Sequence, residues 1–345
     1  MANKSVLPTL SQVARVAGVG GATVSRVING GDRVSPETMA HVLRVIETLG
    51  YVPNQAARTL KGHRTKTIGL VVPSIADPFF SGCAEVIQAI ARANGSLLIV
   101  TATDNDAKIE VESLNALIRQ RVDGLIVVPS DSQSPALCDL LNRTTMPMVA
   151  IDRPVRNSSI PSVVADNNKG AQTATQHLID HGYKRIVCLT GESTLYTIRE
   201  RMNGYRKAME AADLEHVFDL SIKDYESTEL AVKSLLHART PPDAIFATKN
   251  KTSIYVFEAL LKFNVSVPKT IALLGFDDFE LASTVRPSIS VMEQPVEEIG
   301  RRAAEILFAQ LAVDSRGESP APAQKSQIIK LKTRLIPRSS CGCGA

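Results

Sequence analysis

Residues 9–29 read Thr9-Leu10-Ser11-Gln12-Val13-Ala14-Arg15-Val16-Ala17-Gly18-Val19-Gly20-Gly21-Ala22-Thr23-Val24-Ser25-Arg26-Val27-Ile28-Asn29. Two short amphipathic helices fit this stretch, with a glycine-containing turn between them. Val13, Ala14, Val16 and Ala17 give the first an apolar face, Gly18-Val19-Gly20 makes the turn, and Val24, Val27 and Ile28 recur at helical spacing in the second. A second helix this short, with a polar outer side, has the dimensions to enter a DNA major groove. Periodicity alone fits a small helical bundle with no nucleic-acid role equally well.

Charge separates the two readings. Residues 1–66 hold nine Lys and Arg against three acids (Asp32, Glu37, Glu47), net +6, whereas the whole chain is +4. The remaining residues therefore sum to −2, and the basic excess is confined to the segment with the two-helix pattern. That is the electrostatic footprint of a phosphate-backbone partner. A third helix fits 36–49, with Ser35 as N-cap, Pro36 at its first position, Val42, Leu43, Ile46 and Leu49 as its buried stripe, and Gly50 as its stop. Residues 53–61 fit one more helix, too short to be stable alone in water, and 62–66 read as a basic linker.

At 345 residues and 44% apolar composition the chain exceeds one compact domain. No signal-like or membrane-spanning apolar run is visible, so the expectation is a soluble cytoplasmic protein with no membrane partner. Five scattered cysteines (Cys83, Cys138, Cys188, Cys341, Cys343) fit a reducing compartment. Cys341-Gly342-Cys343 is half of a metal pattern, but with no second pair nearby it reads as an unligated tail. His177 and His181 have the i, i+4 spacing that can bind zinc. No third ligand is visible, and His181-Gly182 reads as a helix C-terminus, so both are taken as structural and no metal is expected. Gly18-Val19-Gly20-Gly21 has no preceding strand and no third glycine at the place a dinucleotide loop requires. No nucleophile elbow or Walker pattern occurs. Neither an enzyme nor a cofactor is expected.

From Thr67 apolar runs alternate with amphipathic helical stretches, the signature of a parallel α/β sheet. Strands are expected at 67–72, 97–101, 124–128 and 147–151. A second series is expected near 185–189, 243–247 and 270–274, with helices at 167–180, 199–211, 228–237 and 252–263. Segments 289–294 and 328–336, around a helix at 296–311, complete and cross between the lobes. The expected fold class is α/β, with an all-α helix-turn-helix headpiece (1–52), a hinge helix and linker (53–66) and a two-lobed core of doubly wound parallel sheets (67–345). Lobe 1 is expected over about 67–165 plus 294–325, and lobe 2 over about 166–293 plus 326–340. Loops after the strand C-termini (73–80, 129–134, 152–156, 190–200, 248–252, 275–280) face the ligand crevice of such folds.

Several stretches together carry a specific resemblance over nearly the full length. They are Thr9-Leu10, Val13-Ala14 and Ala17-Gly18-Val19, then Ala22 to Gly30, and Leu49-Gly50-Tyr51-Val52-Pro53-Asn54 with Ala57-Arg58 and Leu60. Thr67 to Pro73, Asp77-Pro78-Phe79-Phe80, Gly275-Phe276-Asp277-Asp278 and Gln294-Pro295 follow. The chain resembles the lactose/galactose repressor (LacI–GalR) family of transcription regulators. The resemblance implies a DNA headpiece, a hinge helix and a core like periplasmic sugar-binding proteins. It implies DNA contacts at Gly21, Ala22 and Arg26, the last suited to guanine O6 and N7, and phosphate contacts at Thr9, Ser25 and Asn29. Leu60, with Pro53-Asn54 and Ala57 at matching positions, matches the leucine that wedges into the minor groove of a palindrome bound by a dimer; a leucine that holds the hinge to the core is the alternative. Gly20 stands where the family usually has Ser. A Ser-to-Gly cap change costs only a few tenths of a kcal/mol, so the helix should survive.

The same resemblance implies a small-molecule effector between the lobes. Phe79 and Phe80 match the ring-stacking position, and Ser130, Asp152, Arg201 and Asp277 match hydrogen-bonding positions. For Phe79 and Phe80 core packing is the competing role, expected for one of the two. The family commonly has Asn-Asp where this chain has Lys249-Asn250, which raises the local charge by two. With Arg153 and Arg201 nearby, a cationic pocket favours an anion. The expected effector is a sugar acid such as gluconate or a keto-gluconate, ahead of a sugar phosphate, a neutral sugar or a purine. A Lys249 that faces solvent or pairs with a protein acid is the alternative. No apolar heptads follow the core, so a homodimer is expected. A solute-binding protein would need a signal peptide and lack the basic headpiece. An α/β enzyme would need a catalytic pair, and none is visible.

Overall fold

The computed structural model describes residues 8–30, 33–52, 64–130, 137, 139–140, 144–155, 158–191, 193–314 and 327–344. The chain forms two compact units, Met1–Thr65 and Lys66–Ala345. In the first, α1 (Leu10–Val16), α2 (Gly21–Ile28) and α3 (Pro36–Leu49) follow one another. Thr9 and Gln12 cap α1 reciprocally: Gln12 Oε1 accepts the Thr9 N–H at 2.7 Å, and Thr9 Oγ1 accepts the Gln12 N–H. Gly18 makes the turn with φ +64°, where a side chain would be strained. Gly20 begins α2 without a side-chain cap. Ser35 caps α3 through the Thr38 N–H, and Pro36 is pre-set for the first turn.

Val13, Ala17, Val24, Val27, Val42, Val45 and Tyr51 form the buried core of this unit. Two stripe assignments need correcting. Val16 is 58% and Leu43 49% exposed, and Val45 takes the buried place on α3. One residue rotates a helix by about 100°, which carries Leu43 off the stripe that Val42, Val45 and Ile46 share.

The second unit holds two six-stranded sheets. The first contains β1 (Thr67–Val72), β2 (Leu97–Ala102), β3 (Gly124–Val127), β4 (Met148–Ile151), β5 (Ser162–Ala165) and β11 (Ile328–Leu331). Its order is β11-β5-β4-β3-β1-β2 and every pairing is parallel. The second contains β6 (Ile186–Leu189), β7 (Val217–Asp219), β8 (Ala244–Ala247), β9 (Ala272–Phe276), β10 (Ser290–Glu293) and β12 (Arg334–Ile336), in the order β12-β10-β9-β8-β6-β7. Only the β10–β12 pair in it is antiparallel. The strands are short, and six central ones, β3, β4, β5, β6, β8 and β9, are buried throughout, as in sheets covered on both faces.

Helices α4 (Pro78–Ala93) and α10 (Val296–Asp314) pack one face of the first sheet, and α5 (Ala107–Arg119) packs the other. In the second lobe α6 (Asn167–Asp180) and α7 (Tyr196–Ala211) cover one face, and α8 (Tyr225–Leu236) and α9 (Asn250–Lys262) the other. The chain crosses between lobes near Asp166, at Gln294-Pro295 and at Lys332-Thr333. Residues 328–331 therefore belong to lobe 1, because β11 pairs with β5. The expected assignment of 326–340 to lobe 2 holds only from β12 onward. Nor is the end of the chain a tail: Cys341 is fully buried in the lobe 2 core, in the 3₁₀ turn Ser339–Cys341. Among the described residues no helix is long and apolar enough to cross a membrane.

Candidate functional site

On α2 the apolar residues Val24 and Val27 face inward, leaving Ala22 and Arg26 exposed, with Asn29 exposed at the C-cap. Gly21 and Ser25 are half-buried on the same side. Spacings of three and four place Ala22, Ser25, Arg26 and Asn29 on one helical face. The Asn29 amide nitrogen folds back on the Ser25 carbonyl at 2.8 Å, which ties the two residues together. Thr9 is exposed at the start of α1, its hydroxyl engaged in the capping box. Ala57 and Leu60 lie outside the described residues.

In the core unit the strand ends of both lobes converge on a cavity of about 290 Å³. Phe79, Phe80, Asp152, Arg153, Arg201, Lys249 and Asp277 all line it. Ser130 is not among the described lining residues. It is turned inward, where its hydroxyl and backbone N–H both donate to Glu110 Oε2 of α5. Phe79 and Phe80 are each 7% exposed and meet edge to face with ring centres 5.0 Å apart. Both belong to the lobe 1 core while also bounding the cavity. Asp77 sets them there: it caps α4 by accepting the Phe79 N–H at 3.0 Å, and Pro78 follows.

Arg201, on α7, is 3% exposed and fully engaged. Its Nε donates to Asn167 Oδ1 at 2.7 Å and its Nη1 to the Thr248 carbonyl at 2.6 Å. Nη1 and Nη2 fork onto the two carboxylate oxygens of Asp277 at 3.0 and 3.2 Å. The guanidinium also lies 3.8 Å from the Phe276 ring centre. Gln294 adds a 2.6 Å bond to Asp277. In lobe 1, Arg153 donates to Asp152 at 3.2 Å, Asn105 at 2.7 Å and the Pro129 carbonyl at 3.0 Å. The two lobes repeat one device. Asp152 directly follows β4 at φ +66° and Asp277 directly follows β9 at φ +73°, each paired with an arginine. Asp tolerates this left-handed region better than most side chains, and such conformations cluster at functional sites.

Charges in the cavity balance. Arg153, Arg201, Lys249 and Lys251 face Asp77, Asp104, Asp152 and Asp277. Burial raises the Asp152 carboxyl above the ordinary range despite Arg153 and Arg201. Burial and then the Asp277 charge raise Asp77. Asn250, at the start of α9 in lobe 2, donates to Asp77 of lobe 1 at 3.5 Å. A larger hollow of about 490 Å³ adjoins the cavity. Its ionisable lining is five carboxylates (Asp277, Asp278, Glu293, Glu297, Glu298) and Arg301, so its charge is of the wrong sign for an anion.

Sequence reasoning missed Asn105, Asn167, Glu110 and the roles of Asp77, Thr248 and Gln294. Gln294 and Asp77 sat inside quoted motifs, Asn250 was noted only as a lost acid, and the others carried no pattern.

Residues 65–333 match the model for periplasmic binding proteins and the sugar binding domain of the LacI family, and residues 9–54 match that for bacterial regulatory proteins of the lacI family. The HTH-type transcriptional regulator CelR of Thermobifida fusca is 36% identical, over 96% of this chain and 98% of its own length. The ribose operon repressor of Escherichia coli (strain K12) is 32% identical, over 97% of this chain and 100% of its own. A solved transcriptional regulator CelR–cellobiose complex, 32% identical, superposes with a TM-score of 0.69 over 96% of this chain and 99% of that one. A capped helix-turn-helix and a core with paired arginines at its strand ends thus meet family models that together span most of the sequence: the chain belongs to the LacI family of bacterial transcription regulators.

Proposed function

We propose that the chain is a metabolite-controlled repressor that reads a palindromic operator as a homodimer. The observation that carries this reading is the exposed face of α2, Ala22–Ser25–Arg26–Asn29, in a segment that holds the whole basic excess. Arg26 is assigned two bonds to one guanine. Gly21 and Ala22 let the backbone approach the base edges, and Thr9, Ser25 and Asn29 set the register on phosphates. Leu60, flanked by Ala57, is assigned the minor-groove wedge.

The test selects sites for the full chain from a random-sequence duplex library, then measures affinity at fixed salt. Palindromic sites are expected. Arg26→Ala should weaken specific binding by roughly 5–150-fold, the equivalent of about 1–3 kcal/mol, and leave ligand binding unchanged. Full specific affinity in that variant overturns the assignment of Arg26, and asymmetric sites overturn the two-fold arrangement.

For the effector, we infer a small hydroxyl-rich metabolite bearing an acid group, the sugar-acid class that includes gluconate and keto-gluconate. Gln294 Oε1 is buried and has no hydrogen-bond partner among the described residues, so it suits a ligand hydroxyl. The N-terminus of α9 opens on the cavity with Lys249 as a cap that makes no side-chain capping bond. The positive end of a helix dipole attracts an anion, and Lys249 and Lys251 add charge of the right sign. A neutral sugar is the second reading. It is favoured by the four-to-four charge balance and by the two arginines being already paired with Asp152 and Asp277. A thermal-shift panel of sugar acids, neutral sugars and sugar phosphates separates them. The acid reading expects a rise with sugar acids that Lys249→Ala weakens about 10-fold or more, as for a charge-assisted bond. A rise confined to neutral sugars, unmoved by Lys249→Ala, establishes the second.

A further inference from the structure

We propose that His177, His181, Cys341 and Cys343 form a closed tetrahedral zinc site that fastens the C-terminal turn to lobe 2. The cysteines stand 160 residues or more after the histidines in sequence, yet their four ligand atoms lie within 4.8 Å of one another. Cys341 Sγ is 3.2 Å from His177 Nε2. Cys343 Sγ is 3.2 Å from His181 Nε2 and 3.5 Å from His177 Nε2. A tetrahedral zinc with bonds of about 2.3 Å to sulfur and about 2.0–2.1 Å to nitrogen sets sulfur and nitrogen about 3.5 Å apart. Shifts of a few tenths of an ångström would therefore admit the ion.

The backbone is built for this convergence. The last turn of α6 and its cap present His177 and His181 on one face. The 3₁₀ turn delivers Cys341, and Gly342, at φ +100°, turns the chain so that Cys343 comes back towards the histidines. A side chain at Gly342 would press on Tyr183 Oη at 3.1 Å and His181 Cδ2 at 3.4 Å. Supporting bonds orient the ligands. His181 Nδ1 lies 2.9 Å from the His177 carbonyl; as the donor there it leaves the Nε2 lone pair facing Cys343. The Ser290 hydroxyl accepts the Arg338 N–H at 2.8 Å and donates to Cys341 Sγ at 3.0 Å, a contact suited to a thiolate. Without metal, the Cys341 thiol has the Arg338 carbonyl at 3.4 Å as its acceptor.

Two thiolates with two imidazoles select zinc over harder cations. Four protein ligands leave no open position, so the role is structural. Helix α6 begins at Asn167, beside Arg201, and its fourteen residues rise about 21 Å. The tetrad therefore sits at the end of lobe 2 away from the effector cavity, where it anchors the segment that follows the edge strand β12.

The test uses the untagged full-length chain, reduced and stripped with a chelator, then titrated with cobalt(II) and zinc(II). Expected are one cobalt per chain, the intense visible bands of a tetrahedral ion with thiolate charge transfer, displacement by zinc, and a higher melting temperature with metal. Cys343→Ser and His181→Gln change the half-buried and exposed ligands. Both variants should fold and lose metal affinity by more than the ~10–100-fold that loss of a supporting partner causes. A weak octahedral spectrum, no uptake, a Cys341–Cys343 disulfide in freshly prepared protein, or unchanged affinity in both variants overturns the site.

Discussion

Arg201 holds the effector crevice together, because one buried guanidinium joins Asn167 at the start of α6, the end of β8 through Thr248, and Asp277 at the end of β9. Removing one partner of a buried pair strands the other charge, which costs about 3–5 kcal/mol. Arg201→Met should therefore lower stability by that amount in urea unfolding. Arg201→Lys should recover only part of it, since an ammonium cannot fork onto both Asp277 oxygens. A loss under 1 kcal/mol in Arg201→Met would show that Asp277 finds other partners. Arg201 and Asp277 were readable in the sequence because they fall at positions the family resemblance marks. Asn167, Asn105 and Glu110 were not. Each is a single polar residue on an otherwise ordinary helix or loop, and only the fold carries it to its arginine or serine. The same physics removed Ser130 from the cavity lining: its hydroxyl is taken by Glu110, twenty residues earlier, on a helix that reads as solvent-facing around it.

Helices α6 and α7 pack so closely that a methyl group on Gly204 would land on the Asn168 carbonyl oxygen and against Ala171. That neighbour is backbone, so relief requires the helices to part. Gly204→Ala should lower stability by about 1–3 kcal/mol, in the range of overpacked cores, with a shifted denaturation midpoint and an unchanged slope. Arg201 lies one turn before Gly204, so effector affinity should fall in the same variant. Unaltered stability would mean the two helices slide apart freely. Helix α6 was legible: it matches its expected span of 167–180, where Asp166 supplies a cap and Ala171, Ala174 and Leu178 recur at helical spacing. Strands β5 and β7 escaped notice because each offers an apolar run of three residues or fewer, where the equally short β3, β4, β6 and β8 sit in runs of four or more. Strand β11, with its half-exposed Ile328–Leu331, carried no mark of which sheet it would join. Pairing across some 160 residues decided that, just as it brought the terminal cysteines to His177 and His181.

At the scale of the molecule the two units differ sharply in what holds them. The described part of the first rests on seven buried apolar side chains, whereas the second buries two sheets on both faces. Small cores bury a smaller fraction of their surface and are correspondingly marginal. Calorimetry of the full chain should therefore show two transitions, with the first unit melting at the lower temperature. A fragment spanning 66–345 should reproduce the upper one. An effector at 100 times its Kd should stabilise the upper transition by about 2.7 kcal/mol and leave the lower where it was. Operator DNA should raise the lower, and that effect should weaken steeply with salt because the basic excess is confined to residues 1–66. Linkage then constrains the whole chain. Whatever factor the effector imposes on operator affinity, typically about 5–150-fold, the operator must impose on effector affinity. Titrations run in both orders should return one factor with one sign. A single transition that the fragment cannot reproduce would show that the two units fold as one, and the separation of reading from sensing would fail with it.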